Sequence, residues 1–132
     1  MKQTIFILLA MFFICCSSEP QNEFTFKDMS LDYSSFVGKS VTMQLIAIEP
    51  SNVFYFAFQG LESHYYCVKV SDNTMPVFAY FPKSLFKDKK GEILKFDNTK
   101  ITITASLVSS KYNRYKFTDC LLDVESYQLG WD

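Results

Sequence analysis

Ser40-Val41-Thr42-Met43-Gln44-Leu45-Ile46-Ala47-Ile48 decides the fold. Val41, Met43, Leu45 and Ala47 alternate with Thr42, Gln44, Ile46 and Ile48. A period of two is the spacing of a β-strand with one apolar face. Near Ile46 both faces become apolar, so this end of the strand is expected to be covered on both sides. Glu49-Pro50-Ser51-Asn52 has the composition of a turn and ends the strand.

The same pattern recurs outward from this stretch. Val53–Phe58 is aromatic and β-prone, and His64–Val70 reads as a third strand after the turn Gln59–Ser63. Val77–Phe81 is another apolar run, stopped by Pro82. Lys83–Lys90 is short and amphipathic around Leu85 and Phe86, which predicts a helical turn or two ended by Gly91. Ile93–Phe96 and Ile101–Ala105 flank Asp97-Asn98-Thr99-Lys100 and read as a hairpin. Arg114–Val124 is the last strand, followed by a tail ending at Trp131. Five principal strands with turn signals between them predict an all-β domain with one short helix, built as a small barrel or sandwich. Lys precedes an alternating strand at both Lys39 and Lys100, as similar first and fourth strands of a Greek-key barrel would give.

The N-terminus supplies an address. Met1-Lys2 is followed by the apolar run Thr4–Phe13 and then Cys15-Cys16 and a polar string. The run is too short to cross a ~30 Å hydrocarbon core as a helix. It looks like a bacterial lipoprotein signal peptide. Cys16 follows a small residue and is the expected lipid-attachment site; Cys15 follows the larger Ile14. Ordinary cleavage near Ser17 or Ser18, giving a secreted protein, is the competing reading. The expected organisation is a signal peptide over 1–15, a polar tether over 16–30 and a single domain over 31–132. The expected location is the bacterial cell envelope.

Three segments carry a family resemblance. Phe36-Val37-Gly38-Lys39-Ser40-Val41-Thr42-Met43, Ile101-Thr102-Ile103-Thr104-Ala105-Ser106-Leu107 and Phe117-Thr118-Asp119-Cys120-Leu121-Leu122 resemble the first, fourth and last strands of small exported OB-fold proteins called tRNA-anti-like. Leu45 and Ala105 stand where that family commonly has glycine, and Val77–Phe81 looks like an added strand. The resemblance implies a five-stranded Greek-key OB-like barrel with an extra strand or hairpin. Past Cys16 only Cys67 and Cys120 remain, either as small buried hydrophobes or, in an oxidising compartment, as a disulfide. In an OB fold the third and fifth strands pair, so the resemblance makes a Cys67–Cys120 bridge geometrically allowed if the Cα atoms fall within roughly 7 Å.

Chemistry-bearing patterns are sparse. The chain has one histidine, His64, and no nucleophile-elbow, phosphate-loop, Cys-x-x-Cys or His-x-x-x-His spacing. Asp119 and Asp123 are separated by ~13 Å along a strand, too far to share a metal ion. No catalytic residue, metal site or cofactor is expected, and the chain is not read as an enzyme. The net charge of −1 becomes more negative once Lys2 is removed. A weakly acidic domain exerts no general pull on nucleic acid, so none is expected as a partner. OB folds bind ligands with a barrel face and the loops joining strands one to two and four to five. The second loop contains Lys111, Tyr112, Asn113, Arg114 and Tyr115, which combine rigid aromatic area with cationic donors. These are the candidate ligand-binding residues. The expected partners are the lipid bilayer, through the anchor, and an envelope protein, peptide or cell-wall saccharide. An inhibitor or immunity protein that blocks a partner's active site is the alternative, and a monomer is the default.

Overall fold

The computed structural model describes residues 19–51, 63–109 and 120–132. Its strands are β1 (Ser40–Ser51), β2 (Tyr65–Ser71), β3 (Pro76–Pro82), β4 (Thr99–Ser109) and β5 (Cys120–Leu129). They close a barrel in the order β1-β2-β3-β5-β4, with β3 and β5 parallel and the other pairs antiparallel. This is the small all-β OB-like architecture expected from the sequence. Two short helices, α1 (Phe26–Leu31) and α2 (Tyr33–Phe36), precede the barrel. Two 3-10 turns, Lys83–Phe86 and Glu92–Lys95, link β3 to β4.

Alternation places Met43, Leu45 and Ala47 from β1 and Ile101, Ile103, Ala105 and Leu107 from β4 inside. Val68, Val70, Ala79, Phe81, Leu122 and Val124 complete the interior. Leu45 and Ala105 are fully enclosed. The positions commonly taken by glycine in the resembled family therefore fill the barrel with side chain here. Burying a Leu, Val or Phe side chain contributes about 1.5–3 kcal/mol, so this interior dominates stability. At one end Phe81, Phe86, Phe96 and Tyr127 form an aromatic plug. Phe86 and Tyr127 stack at 5.1 Å, and Phe96 meets both Phe81 and Tyr127 edge-on.

Several expectations change. Val77–Phe81 is the core of β3, an integral barrel strand rather than an addition. The apparent strand Ile93–Phe96 is largely a 3-10 turn, so the expected hairpin does not form. Its apolar spacing is three, not two: Ile93 and Phe96 are buried, while Leu94 between them is 79% exposed. The helical turn or two expected over Lys83–Lys90 is one turn, of 3-10 form, with Phe86 buried. The last strand runs on to Leu129, past a bulge. Ala105 pairs with Val124 and Thr104 with Ser126, leaving Glu125 unmatched. One extra residue reverses the parity, so the inward series Leu122, Val124 continues at Tyr127. The strand expected at Val53–Phe58 lies outside the described residues.

The N-terminal segment docks where the tether was expected to end. Thr25 and Asp28 form a reciprocal capping box at the start of α1. Phe26 and Met29, three apart on one face, join the core cluster. Asp72, in the β2–β3 turn, is buried and accepts from the Phe26 N–H at 2.7 Å. The same carboxylate accepts from the Thr74 N–H and hydroxyl at 2.9 and 2.6 Å. The C-terminal tail is also pinned: Trp131 Nε1 donates to the Leu45 carbonyl at 2.9 Å, and Lys100 lies 4.7 Å from the Trp131 ring centroid.

Candidate functional site

Strand alternation aims Tyr65, Cys67 and Lys69 of β2 and Phe78 and Tyr80 of β3 away from the barrel interior. The register sets Cys67 beside Tyr80, Lys69 beside Phe78, and Tyr80 beside Asp123 of β5. Tyr65 and Tyr80 meet edge-on at 6.4 Å, which confirms their common face. Cys67 and Tyr80 are only 1% and 3% exposed, yet neither belongs to the interior cluster. They form a second buried layer on the outside of the sheet. Burial pushes the Cys67 thiol up to about 12, against a smaller opposing effect of its hydrogen bond to Tyr80. The Asp123 carboxyl is also raised, first by burial and then by the neighbouring Glu125 charge.

The register also fixes where the β1–β2 and β4–β5 connections leave the barrel. β1 ends at Ser51, opposite Cys67, near the end of β3. The parallel pairing Ala79↔Leu122 brings the start of β5 near the start of β3. The β1–β2 and β4–β5 connections therefore depart at opposite ends of the outer β2–β3 face. This is the surface on which the loop residues Lys111, Tyr112, Asn113, Arg114 and Tyr115 were expected to act. Those five residues lie outside the described residues, as does the lipid-attachment candidate Cys16.

The disulfide expectation rested on Cys67 lying on the third strand. In the barrel Cys67 is on β2, and β3 lies between β2 and β5. Cys67 aligns through Tyr80 with Asp123, three residues beyond Cys120. Two strand spacings and three residue rises give an offset on the order of 10 Å in each direction. A bridge needs Cα atoms within roughly 7 Å, so this register does not support one. Cys67 is a buried free thiol.

A second surface lies at the edge of β1, and no motif or composition marks it. The β1–β4 ladder starts at Ser40, but β2 joins the opposite edge of β1 only at Ile46. The Leu107 N–H donates to the Lys39 carbonyl at 3.3 Å, which marks the odd-numbered residues as those bonded to β4. Ser40, Thr42 and Gln44 accordingly turn their backbone groups to the unpaired edge. At Gln44 the Asn22 side chain completes that edge. Its Oδ1 accepts from the Gln44 N–H at 2.7 Å, and its Nδ2 donates to the Gln44 carbonyl at 2.9 Å. Beyond Asn22 the edge opens into a cleft of about 490 Å³, lined by Phe24, Met29, Phe36 and residues 39–43. Phe24 and Phe36 pack edge-on at 5.0 Å, and Phe24 remains 41% exposed.

His64 is exposed, and among the described residues its imidazole has no hydrogen-bond or ion-pair partner. Among the described residues, no three metal-ligating side chains converge.

The fold has solved counterparts. The chain is similar to part of asparaginyl-tRNA synthetase from Pyrococcus horikoshii, with a TM-score of 0.52 and 13% identity over 72% of this chain. It spans only 20% of that synthetase. It is also similar to an OBody bound to hen egg-white lysozyme, with a TM-score of 0.56 and 16% identity, covering 84% of this chain and 96% of that one. No protein-family model and no curated protein matches the chain. At these identities the likeness is one of fold, the closed OB-like barrel.

Proposed function

We propose that the chain is a non-enzymatic binding module, lipid-tethered through Cys16 in a bacterial envelope. It recognises a protein, peptide or saccharide on the outer β2–β3 face. The observation that carries this reading is that the β1–β2 and β4–β5 connections depart from opposite ends of that face, which bears Tyr65, Lys69 and Phe78. In this reading Lys111, Tyr112, Asn113, Arg114 and Tyr115 supply contacts to the partner. Tyrosine supplies contact area and a polar tip, and arginine a planar donor fork.

The OBody neighbour is bound to a protein, which supports protein recognition by a barrel of this shape without assigning a partner. Because that protein is lysozyme, the likeness also lends some support to the inhibitor reading, in which the face plugs an enzyme's site. The net charge of −1 weighs against nucleic acid.

Pull-down from envelope extracts with the parent protein and a Tyr112→Ala/Arg114→Ala variant tests the assignment. Loss of a partner from the variant is the expected result, and equal recovery of every partner by both proteins refutes the loop's role. Inhibition of a recovered enzyme would select the inhibitor reading. Saturable binding of a labelled oligonucleotide that is lost in the same variant would replace both readings. Fatty-acid labelling that disappears in Cys16→Ser is expected for the anchor; persistent labelling would refute that site.

A further inference from the structure

We infer that the unpaired edge of β1 is a second binding site, which takes an extended peptide as an added strand. Its occupant is a partner segment of alternating apolar and polar residues, with an acidic group at one end and a basic group at the other. The site is separate from the β2–β3 face and does not depend on it.

Three observations define that occupant. The first is the direction of the backbone. Ser40 and Thr42 present N–H and C=O groups to the cleft, and among the described residues no hydrogen bond reaches these groups. An exposed row of such groups is a template for another strand. The second is that the template is already in use. The Asn22 amide reproduces on Gln44 the donor–acceptor pair that a neighbouring strand would supply. A peptide continuing from Asn22 would repeat that pair at Thr42 and Ser40, two and four residues away.

The third is what lines the cleft. Its volume of about 490 Å³ falls in the ~300–1,000 Å³ range of ligand sites. Phe24, Phe36 and Val41 offer apolar surface to alternate side chains of an extended chain. Glu23 lies beside Asn22 at the Gln44 end, and Lys39 precedes Ser40 at the other. A strand with a basic residue near Glu23 and an acidic residue near Lys39 complements both. Phe24, Leu31 and Tyr33, three large exposed apolar side chains, all come from this N-terminal flank.

Two synthetic peptides of opposite polarity, Glu-Val-Ser-Leu-Ser-Val-Lys and Lys-Val-Ser-Leu-Ser-Val-Glu, test the site on the full chain in detergent. The tighter of the two is expected to bind saturably and shift the amide resonances of Ser40 and Thr42. Methylating its alternate backbone nitrogens should weaken binding about tenfold or more, because those donors are lost. Thr42→Pro should do the same. The Thr42 N–H does not bond to β4, so proline is tolerated there as it is on other edge strands. The methylated peptide tests the same backbone contacts with unaltered protein should Thr42→Pro fail to fold, and Phe24→Ala is a milder second variant expected to weaken binding. Four results would overturn the inference: no saturable binding by either peptide, equal binding of the methylated form, resonance shifts confined to Lys69 and Phe78, or a dimer in which this edge pairs with its own copy.

Discussion

Replacing Asp72 should detach the N-terminal helix from the barrel. The Asp72 carboxylate is the buried clamp between them, with one oxygen accepting from the Phe26 N–H at 2.7 Å and the other from Thr74. A hydrogen bond to a charged acceptor contributes roughly 1.5–3 kcal/mol. The Phe26 bond is fully buried, so Asp72→Ala should lose about 2 kcal/mol there. The Thr74 amide and hydroxyl are half-buried and regain water in part, which adds about 1 kcal/mol. The sum is about 3 kcal/mol, against a total of roughly 5–15 kcal/mol for a domain of this kind. It corresponds to a fall in Tm of about 10–20 °C. Asp72→Asn keeps one acceptor oxygen and should lose about half as much. Thermal unfolding followed by circular dichroism gives the ordering parent, Asn, Ala. Amide exchange at Phe26 should rise in step, because Phe26 and Met29 then leave the core. If both variants unfold within about 0.5 kcal/mol of the parent, Asp72 does not hold the helix to the barrel.

Two further predictions concern the raised thiol and the plugged barrel end. Cys67 should resist iodoacetamide in the native state and react fully once unfolded. Its folded value of about 12 exceeds the ordinary 9.0, so its contribution to stability is complete below about pH 9 and is lost as pH rises toward 12; rapid native alkylation would contradict this. Tyr127 donates to the Glu92 carboxylate, and its hydroxyl is raised above the ordinary tyrosine value, first by burial and then by that bond. Tyr127→Phe should lose about 1 kcal/mol in urea unfolding while keeping the ring stack on Phe86. A loss above about 3 kcal/mol would mean that the packing, not the hydroxyl, had changed.

The barrel is legible because its interior is written in two long period-two runs. Val41 to Leu45 and Ile101 to Leu107 each alternate without interruption, and they pair with each other. Legibility ends where the local period changes. At Ile93-Leu94-Lys95-Phe96 an apolar spacing of three imitates a short strand, and at Glu125 a single bulged residue inverts the parity and hides the end of β5. The role of Val77–Phe81 escapes a linear reading because barrel membership depends on pairing partners, which a strand's own composition does not encode. The same limit explains Cys67. Its strand is recognisable, but the neighbour that separates it from Cys120 is not. The β1 cleft is invisible for a related reason. An unpaired edge is a property of where β2 begins to pair, and Asn22 lies in a segment that composition marks only as polar.

The most direct test is amide hydrogen exchange along the first half of β1. Alternation is expected: Val41, Met43 and Leu45 protected by β4, Gln44 protected by Asn22, and Thr42 exchanging at least about tenfold faster than Met43. Added peptide should slow Ser40 and Thr42 selectively. Equal protection of Thr42 and Met43 in the free protein would mean that the edge is already paired, and it would contradict both the register and the site built on it.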